Sequence, residues 1–366
     1  MRFPCVLVVA IVSTLFSGLA VSAAEWGLKE GTPEVKSAGP LAFGPDGILF
    51  VGDTKSATVF AIGTGDTKGN PATTTINVTG LNAKVAELLG VNADKITIND
   101  LAVNPLTGNV FLSIAKAGSA ALVKVSGDGK LSEVGLQKVA FQKVALPNAP
   151  EDKEITRNGR SMNLRGDSIT DLAYSEGKLF ASGISNEKSS SNVREIPFPF
   201  SDASAGSSVE IYHAAHGRVE DYAAIRTFVP INIDGEASLL AGFVCTPLVK
   251  FPINNLKAGE MTRGTTVAEL GNRNKPLDMI VYKKEGKDFL LMSNSARGVM
   301  KISTDGITKN AGLTEPVKDG NTAGQKFETI KELEGVVQLD RLNDGYAVVV
   351  VQLAGGSQDL RTIALP

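Results

Sequence analysis

The chain holds only two histidines, His213 and His216, three residues apart, and beyond its first few residues a single cysteine, Cys245. Two neutral imidazoles can bind a transition metal, and a thiolate can complete the set. The same histidines are the candidates for a general base. A second set is acidic. Asp100, Asp171 and Asp278 each precede an apolar triplet, Leu-Ala-Val, Leu-Ala-Tyr and Met-Ile-Val, and Asn99 precedes Asp100. Carboxylates and an amide converging on one point can hold a hard cation such as calcium. Alternatively, each aspartate ties down its own turn or a neighbouring segment through backbone N–H groups. Arg273, Asn294 and Arg297 are candidate ligand contacts, and Asp53 and Asn186 stand at comparable places in the chain. There is no phosphate-cradling glycine loop, HExxH, paired CxxC, EF-hand loop or GxSxG elbow.

What must position these residues is an internal repeat. A strand with an apolar pair, a small or basic residue and another apolar residue recurs as VFAI (59–62), LVKV (122–125), VREI (193–196), LVKF (248–251), VMKI (299–302) and LRTI (360–363). Each copy follows a strongly apolar strand, and each of those follows a further strand and a Gly- or Asp-containing turn. The unit of strand, tight turn, strand, polar corner, strand repeats about six times at roughly 50 to 70 residues, the spacing of propeller blades. Inner blade strands are covered on both faces, so they read as continuous apolar runs such as Tyr346 to Val351 rather than clean alternation. An open two-sheet sandwich would leave six similar units unexplained. The sequence therefore predicts an all-β, six-bladed β-propeller over residues 25–366.

Outer strands are expected at 73–78, 209–212 and 265–270. The last unit has room for none, so an N-terminal strand from within residues 25–37 is expected to close the last blade. Residues 82–90 read as one short amphipathic helix with Asn82 as its cap and Gly90 as its stop. Residues 137–167 and 185–191 read as surface excursions. In a propeller the entries to the inner strands and the corners between second and third strands share a face, which gathers both candidate sets around the tunnel mouth. Alignment of the repeats puts Cys245 at the corner of blade four and both histidines on the linker into that blade.

Residues 1–24 read as a cleavable export signal: Arg2, a long apolar run, then Val21, Ser22, Ala23 and Ala24. A secreted or periplasmic location follows, with no membrane span once the signal is removed. Cleavage takes Cys5 and leaves Cys245 without a disulfide partner. The mature net charge of −3 argues against a nucleic-acid surface. A monomer is expected. Asn77, Val78 and Thr79 match a glycosylation sequon by chance.

The repeat resembles the six-bladed propellers of the NHL, paraoxonase, gluconolactonase and strictosidine-synthase-like group. Asn99 and Asp100 entering an inner strand resemble the Asn-Asp pair with which paraoxonase-like and gluconolactonase-like enzymes hold a central metal. Those enzymes also draw an acidic ligand from the first blade, where this chain has Gly39 and Pro40. Three readings follow. One is an exported propeller binding a small ligand, metal or partner protein at the tunnel mouth. Another is a metal-dependent hydrolase of lactonase or esterase type, with a central cation and His213 or His216 as general base. The third is a copper- or haem-partnered redox component using His213, His216 and Cys245.

Overall fold

A computed structural model describes residues 25–157 and 159–366. The expected signal, 1–24, lies outside the described residues. Among them no helix is long and apolar enough to cross a membrane. Six antiparallel blades form a propeller. Their first three strands are Leu41–Phe43, Ile48–Asp53 and Thr58–Gly63 in blade one, Ile96–Val103, Val110–Lys116 and Ser119–Val125 in blade two, and Asp171–Ser175, Lys178–Ile184 and Ser191–Pro197 in blade three. Blade four has Ile225–Ile233, Glu236–Phe243 and Pro247–Pro252, blade five Pro276–Lys284, Lys287–Asn294 and Val299–Ser303, and blade six Val336–Arg341, Tyr346–Gln352 and Gln358–Ala364. The apolar second strands are the most deeply covered. Leu49, Leu112, Leu240, Leu290 and Val350 are wholly inaccessible, as burial between two neighbouring blades requires.

The order of blades around the ring departs from the order of the chain. Blade two packs on blade six through Val348, Val350 and Leu360, and on blade one through Ala102, Phe111 and Leu122. The other side of blade one faces blade three, where Phe50 and Ala61 meet Leu172 and Leu179. Blades three to six then follow in sequence. Going round, the order is two, one, three, four, five, six.

This order corrects the expected closure. The outer strand of blade six is Asn77–Val78, which pairs with Leu360 and Arg361, and not a segment from 25–37. The strand Lys29–Gly31 instead lies outside blade one, on Val139–Ala145, which itself pairs with Thr58–Gly63. Residues 139–145, read from sequence within a surface excursion, are thus the fourth strand of blade one. The physical reason is the exchange itself: the chain leaves blade one for the far side of blade two, and returns past blade one on its way to blade three.

Residues 64–76 make the outward crossing along blade two. Asp66 anchors them, accepting from Asn104 Nδ2 at 2.9 Å, Thr107 Oγ1 at 2.6 Å and Asn109 Nδ2 at 2.9 Å. Gly69 sits so close to blade two that a Cβ there would fall 2.7 Å from Thr107 Cα. The short helix Leu81–Leu88 follows, burying Leu81, Val85 and Ala86. Its N-cap is Gly80 in the left-handed region, not Asn82. The Asn82 side chain instead joins Gly356 O and Gln358 N of the last blade, reinforcing the closure. The outer strands expected in blades three and four are present as Ser207–His213 and Thr265–Glu269.

Candidate functional sites at the tunnel mouth and the rim

One residue per blade faces the tunnel mouth at the entry to the inner strand: Pro40, Asp100, Asp171, Thr227, Asp278 and Gln338. All six line a cavity of about 390 Å³. In blades two, four, five and six an extra residue interrupts the ladder just before this position, at Asn99, Arg226, Leu277 and Val337. Such bulges re-aim the side chain that follows. Asp340 lies two residues farther along its strand.

Each aspartate spans two elements. Asp100 accepts from Leu101 N at 2.8 Å and from Leu41 N of blade one at 2.7 Å. Asp171 joins Leu172 N to Phe228 N of blade four, and Asp278 joins Met279 N to Leu339 N of blade six. Asp340 joins Arg341 N to Val103 N of blade two, at 2.7 Å each. The stitching role anticipated as an alternative is therefore present at every one of them. Asp100, Asp171 and Asp278 line the cavity, all four residues are only partly exposed, and desolvation is the largest influence on their protonation. Burial raises Asp171 to about 7 and Asp340 to about 6 against the lowering effect of the backbone N–H groups. Asp100 and Asp278 are also pushed well above the usual carboxylate range, first by burial and then by the other acids of the tunnel.

The three acids and Asn99 line one cavity, as expected. Among the described residues the one group of three or more His, Cys, Asp or Glu ligands close enough to hold an ion is His213, His216 and Cys245. Asn99 Nδ2 donates to Ala38 O at 2.7 Å, a bond that does not use its Oδ1. Neither histidine lines this cavity, so the structure sets the two candidate bases apart from the tunnel acids.

The basic residues of the cavity are also not those expected. Arg226 pairs with Asp167 at 2.7 Å, and Lys275 completes the wall. Burial lowers the Lys275 pKa, with the Arg226 charge adding to it. Arg273, Asn294 and Arg297 do not line the cavity. Asn294 is buried and ties its own corner to Asn274 and Gly298, Arg297 donates to Asn272 O at 3.1 Å, and Arg273 is exposed with φ 54°. Asp53 likewise serves the fold, holding Lys36 N, Ser37 and Ser56 N.

The trio meets on the rim between blades three and four, with one ligand atom of each residue within 4.8 Å of the others. The hairpin Ser207–His213 to Arg218–Glu220 explains the geometry. His213 stands opposite Arg218 and Glu220 opposite Ile211, so His213 and Glu220 share a face. Glu220 accepts from both rings, with His213 Nδ1 and His216 Nδ1 each 2.8 Å away, and the ring centroids are 3.8 Å apart. Desolvation opposes ionisation of Glu220, yet hydrogen bonds from His213, His216 and Arg218 outweigh it and hold the carboxyl well below its ordinary range. His213 is buried, and its Nε2 has no hydrogen-bond partner among the described residues. Cys245 and Thr246 are consecutive non-glycine residues at φ 65° and 59°, a conformation that costs energy and clusters at functional sites. It is held by Cys245 N to Asn274 O at 2.7 Å and Thr246 Oγ1 to Gly271 O at 2.5 Å.

No family model matches the chain, and no curated protein matches it. Among solved structures it overlaps an oxidoreductase described as a glucose dehydrogenase from Thermus thermophilus, at 13% identity and a TM-score of 0.37, over 92% of this chain and 99% of that one. It overlaps the PQQ-bound aldose sugar dehydrogenase of Streptomyces coelicolor at 12% identity and a TM-score of 0.29, over 92% and 96% of the two chains. A streptogramin B lyase gives 10% identity and a TM-score of 0.32, over 93% and 99%. Superpositions this loose carry no argument about activity. The six-bladed architecture is shown by the blades themselves, and the expected resemblance to the paraoxonase and gluconolactonase group goes no further than that architecture.

Proposed function

We propose that this protein is a binding propeller that takes a small, hydroxyl-bearing molecule at its tunnel mouth, outside the cytoplasm if its leader acts as an export signal. The observation that carries this reading is the mixture of groups on one concave wall. Asp100, Asp171 and Asp278 line the wall with carboxyls, Asn99 and Gln338 with amides whose NH2 groups already donate to Ala38 O and Asn99 O, and Lys275 and Arg226 with cationic donors. A ligand with several hydroxyls can donate to the acids and accept from the basic pair. Few, well-placed polar groups in a concavity are the usual means of orienting such a ligand.

A thermal-shift screen of monosaccharides, sugar acids and polyols against the mature chain tests this. A ligand of the native state at 100 times its Kd stabilises by about 2.7 kcal/mol, enough for a clear rise in Tm. At least one compound is expected to raise Tm in the wild type and to lose that effect in Lys275→Met. A screen with no hit, or a hit undiminished in Lys275→Met, rejects the tunnel mouth as the binding site.

A further inference from the structure

We propose that His213, His216 and Cys245 form a binding site for one transition-metal ion of the zinc or copper class, on the rim between blades three and four and separate from the tunnel-mouth cavity. This does not rest on the small-molecule reading. The ligand set is one thiolate and two imidazoles, already within 4.8 Å of one another. Metal–ligand distances of about 2.0–2.1 Å to nitrogen and about 2.3 Å to sulfur require the three to close by on the order of 1 Å around an ion. Cys245 lies at an accessible corner and the His216 side chain is 40% exposed, which gives the ion an entry path.

Three independent features point to an ion rather than to chance proximity. Glu220 engages Nδ1 of both rings, which leaves the two Nε2 atoms as the nitrogens to face a metal. A carboxylate behind a ligating histidine is the usual way to fix its orientation and raise its basicity. Next, His213 Nε2 is buried with no hydrogen-bond partner among the described residues, a costly state that a metal bond relieves. Finally, the backbone at Cys245 is held in a left-handed conformation, and tertiary contacts maintain it. Three protein ligands leave a fourth position open. Glu269 packs against the loop that carries the histidines: its Oε1 accepts from Ala215 N at 3.1 Å, and its Oε2 has no hydrogen-bond partner among the described residues.

Cobalt(II) titration of the metal-free mature protein tests the site directly. The expected result is saturation at one equivalent, with a thiolate-to-cobalt charge-transfer band and intense tetrahedral ligand-field bands, all displaced by zinc. Cys245→Ser should abolish the charge-transfer band. His216→Ala should weaken cobalt binding while leaving the far-ultraviolet circular dichroism unchanged; because it also removes a partner of the buried Glu220, binding is compared at a temperature where both proteins are folded. Glu220→Gln should weaken cobalt binding by roughly 10- to 100-fold through the rings it orients. Elemental analysis of natively purified protein then distinguishes zinc from copper as the resident ion. Absence of the charge-transfer band in the wild type, or its persistence in Cys245→Ser, overturns the proposal.

Discussion

At Asp171 two effects oppose each other: burial favours the neutral acid, two backbone N–H groups favour the carboxylate, and burial prevails, setting its pKa at about 7. Asp340 follows the same logic at about 6. Both values lie above the unfolded reference near 3.9, so the folded state binds these protons more tightly. Their stabilising contribution is complete below about pH 4 and is lost as pH rises towards 7. Both residues are partly exposed, so solvent screening is expected to hold the loss between pH 5 and pH 8 to the order of 1–2 kcal/mol rather than the full shift. Urea denaturation at the two pH values measures it, and Asp171→Ala should flatten the dependence; stability that rises over this range would contradict the assignment. Asp100, Asp171 and Asp278 were legible in the sequence because each stands at one repeated place before an apolar triplet. Asp340 was not, because it sits two residues deeper while Gln338 holds the mouth position. Glu220 was missed because its relation to the histidines arises across a hairpin, where HAAHGRVE folds back so that its first and last residues share a face.

Among the elements, the crossing at 64–76 decides whether the ring can close. Asp66 gathers three side-chain donors from blade two at 2.6 to 2.9 Å, and Asn343 Nδ2 of blade six reaches Pro71 O at 2.9 Å. Asp66→Ala strands those donors and is expected to cost about 2–4 kcal/mol, more than one typical hydrogen bond because several partners are left unsatisfied. Gly69→Val, which drives a side chain into the Thr107 backbone, should be at least as damaging. Chemical denaturation with unchanged m-value would measure both, and a loss under about 0.5 kcal/mol in each would show that the crossing is dispensable. The first three strands of every blade were legible because burial on both faces writes itself as apolar runs. The outer strands were not: Asn77–Val78 is two residues long, and Val139–Ala145 keeps only Val144 buried. Nothing local in either segment encodes which blade it will join.

For the whole molecule, exchange of the first two blades places the ring's seam between units far apart in the chain. Blade two meets blade six along Leu101, Val103, Leu112 and Val123 on one side and Val348, Val350 and Leu360 on the other. Ile76 N bonds Thr362 Oγ1 at 2.8 Å across 286 positions of sequence, and Gly80 N bonds Asp359 Oδ1 at 2.9 Å. With Cys245 the only cysteine among the described residues, no disulfide assists this closure. The seam depends on apolar packing. Val348 and Val350 are completely buried within it, whereas Tyr346, on the same strand, is 49% exposed. An aspartate at either valine would place an unpaired charge between two blades, where the nearby described side chains are aliphatic. Burial of such a charge costs well beyond the usual range for a point substitution. Val348→Asp and Val350→Asp are each expected to lower stability by more than about 4 kcal/mol. Because the seam holds both ends of the ring, blades two and six should lose hydrogen-exchange protection together. Tyr346→Asp is the control and should change stability by less than about 0.5 kcal/mol. If Val350→Asp melts like the wild type, or if blade six loses protection while blade two keeps it, the seam does not couple the ring in this way.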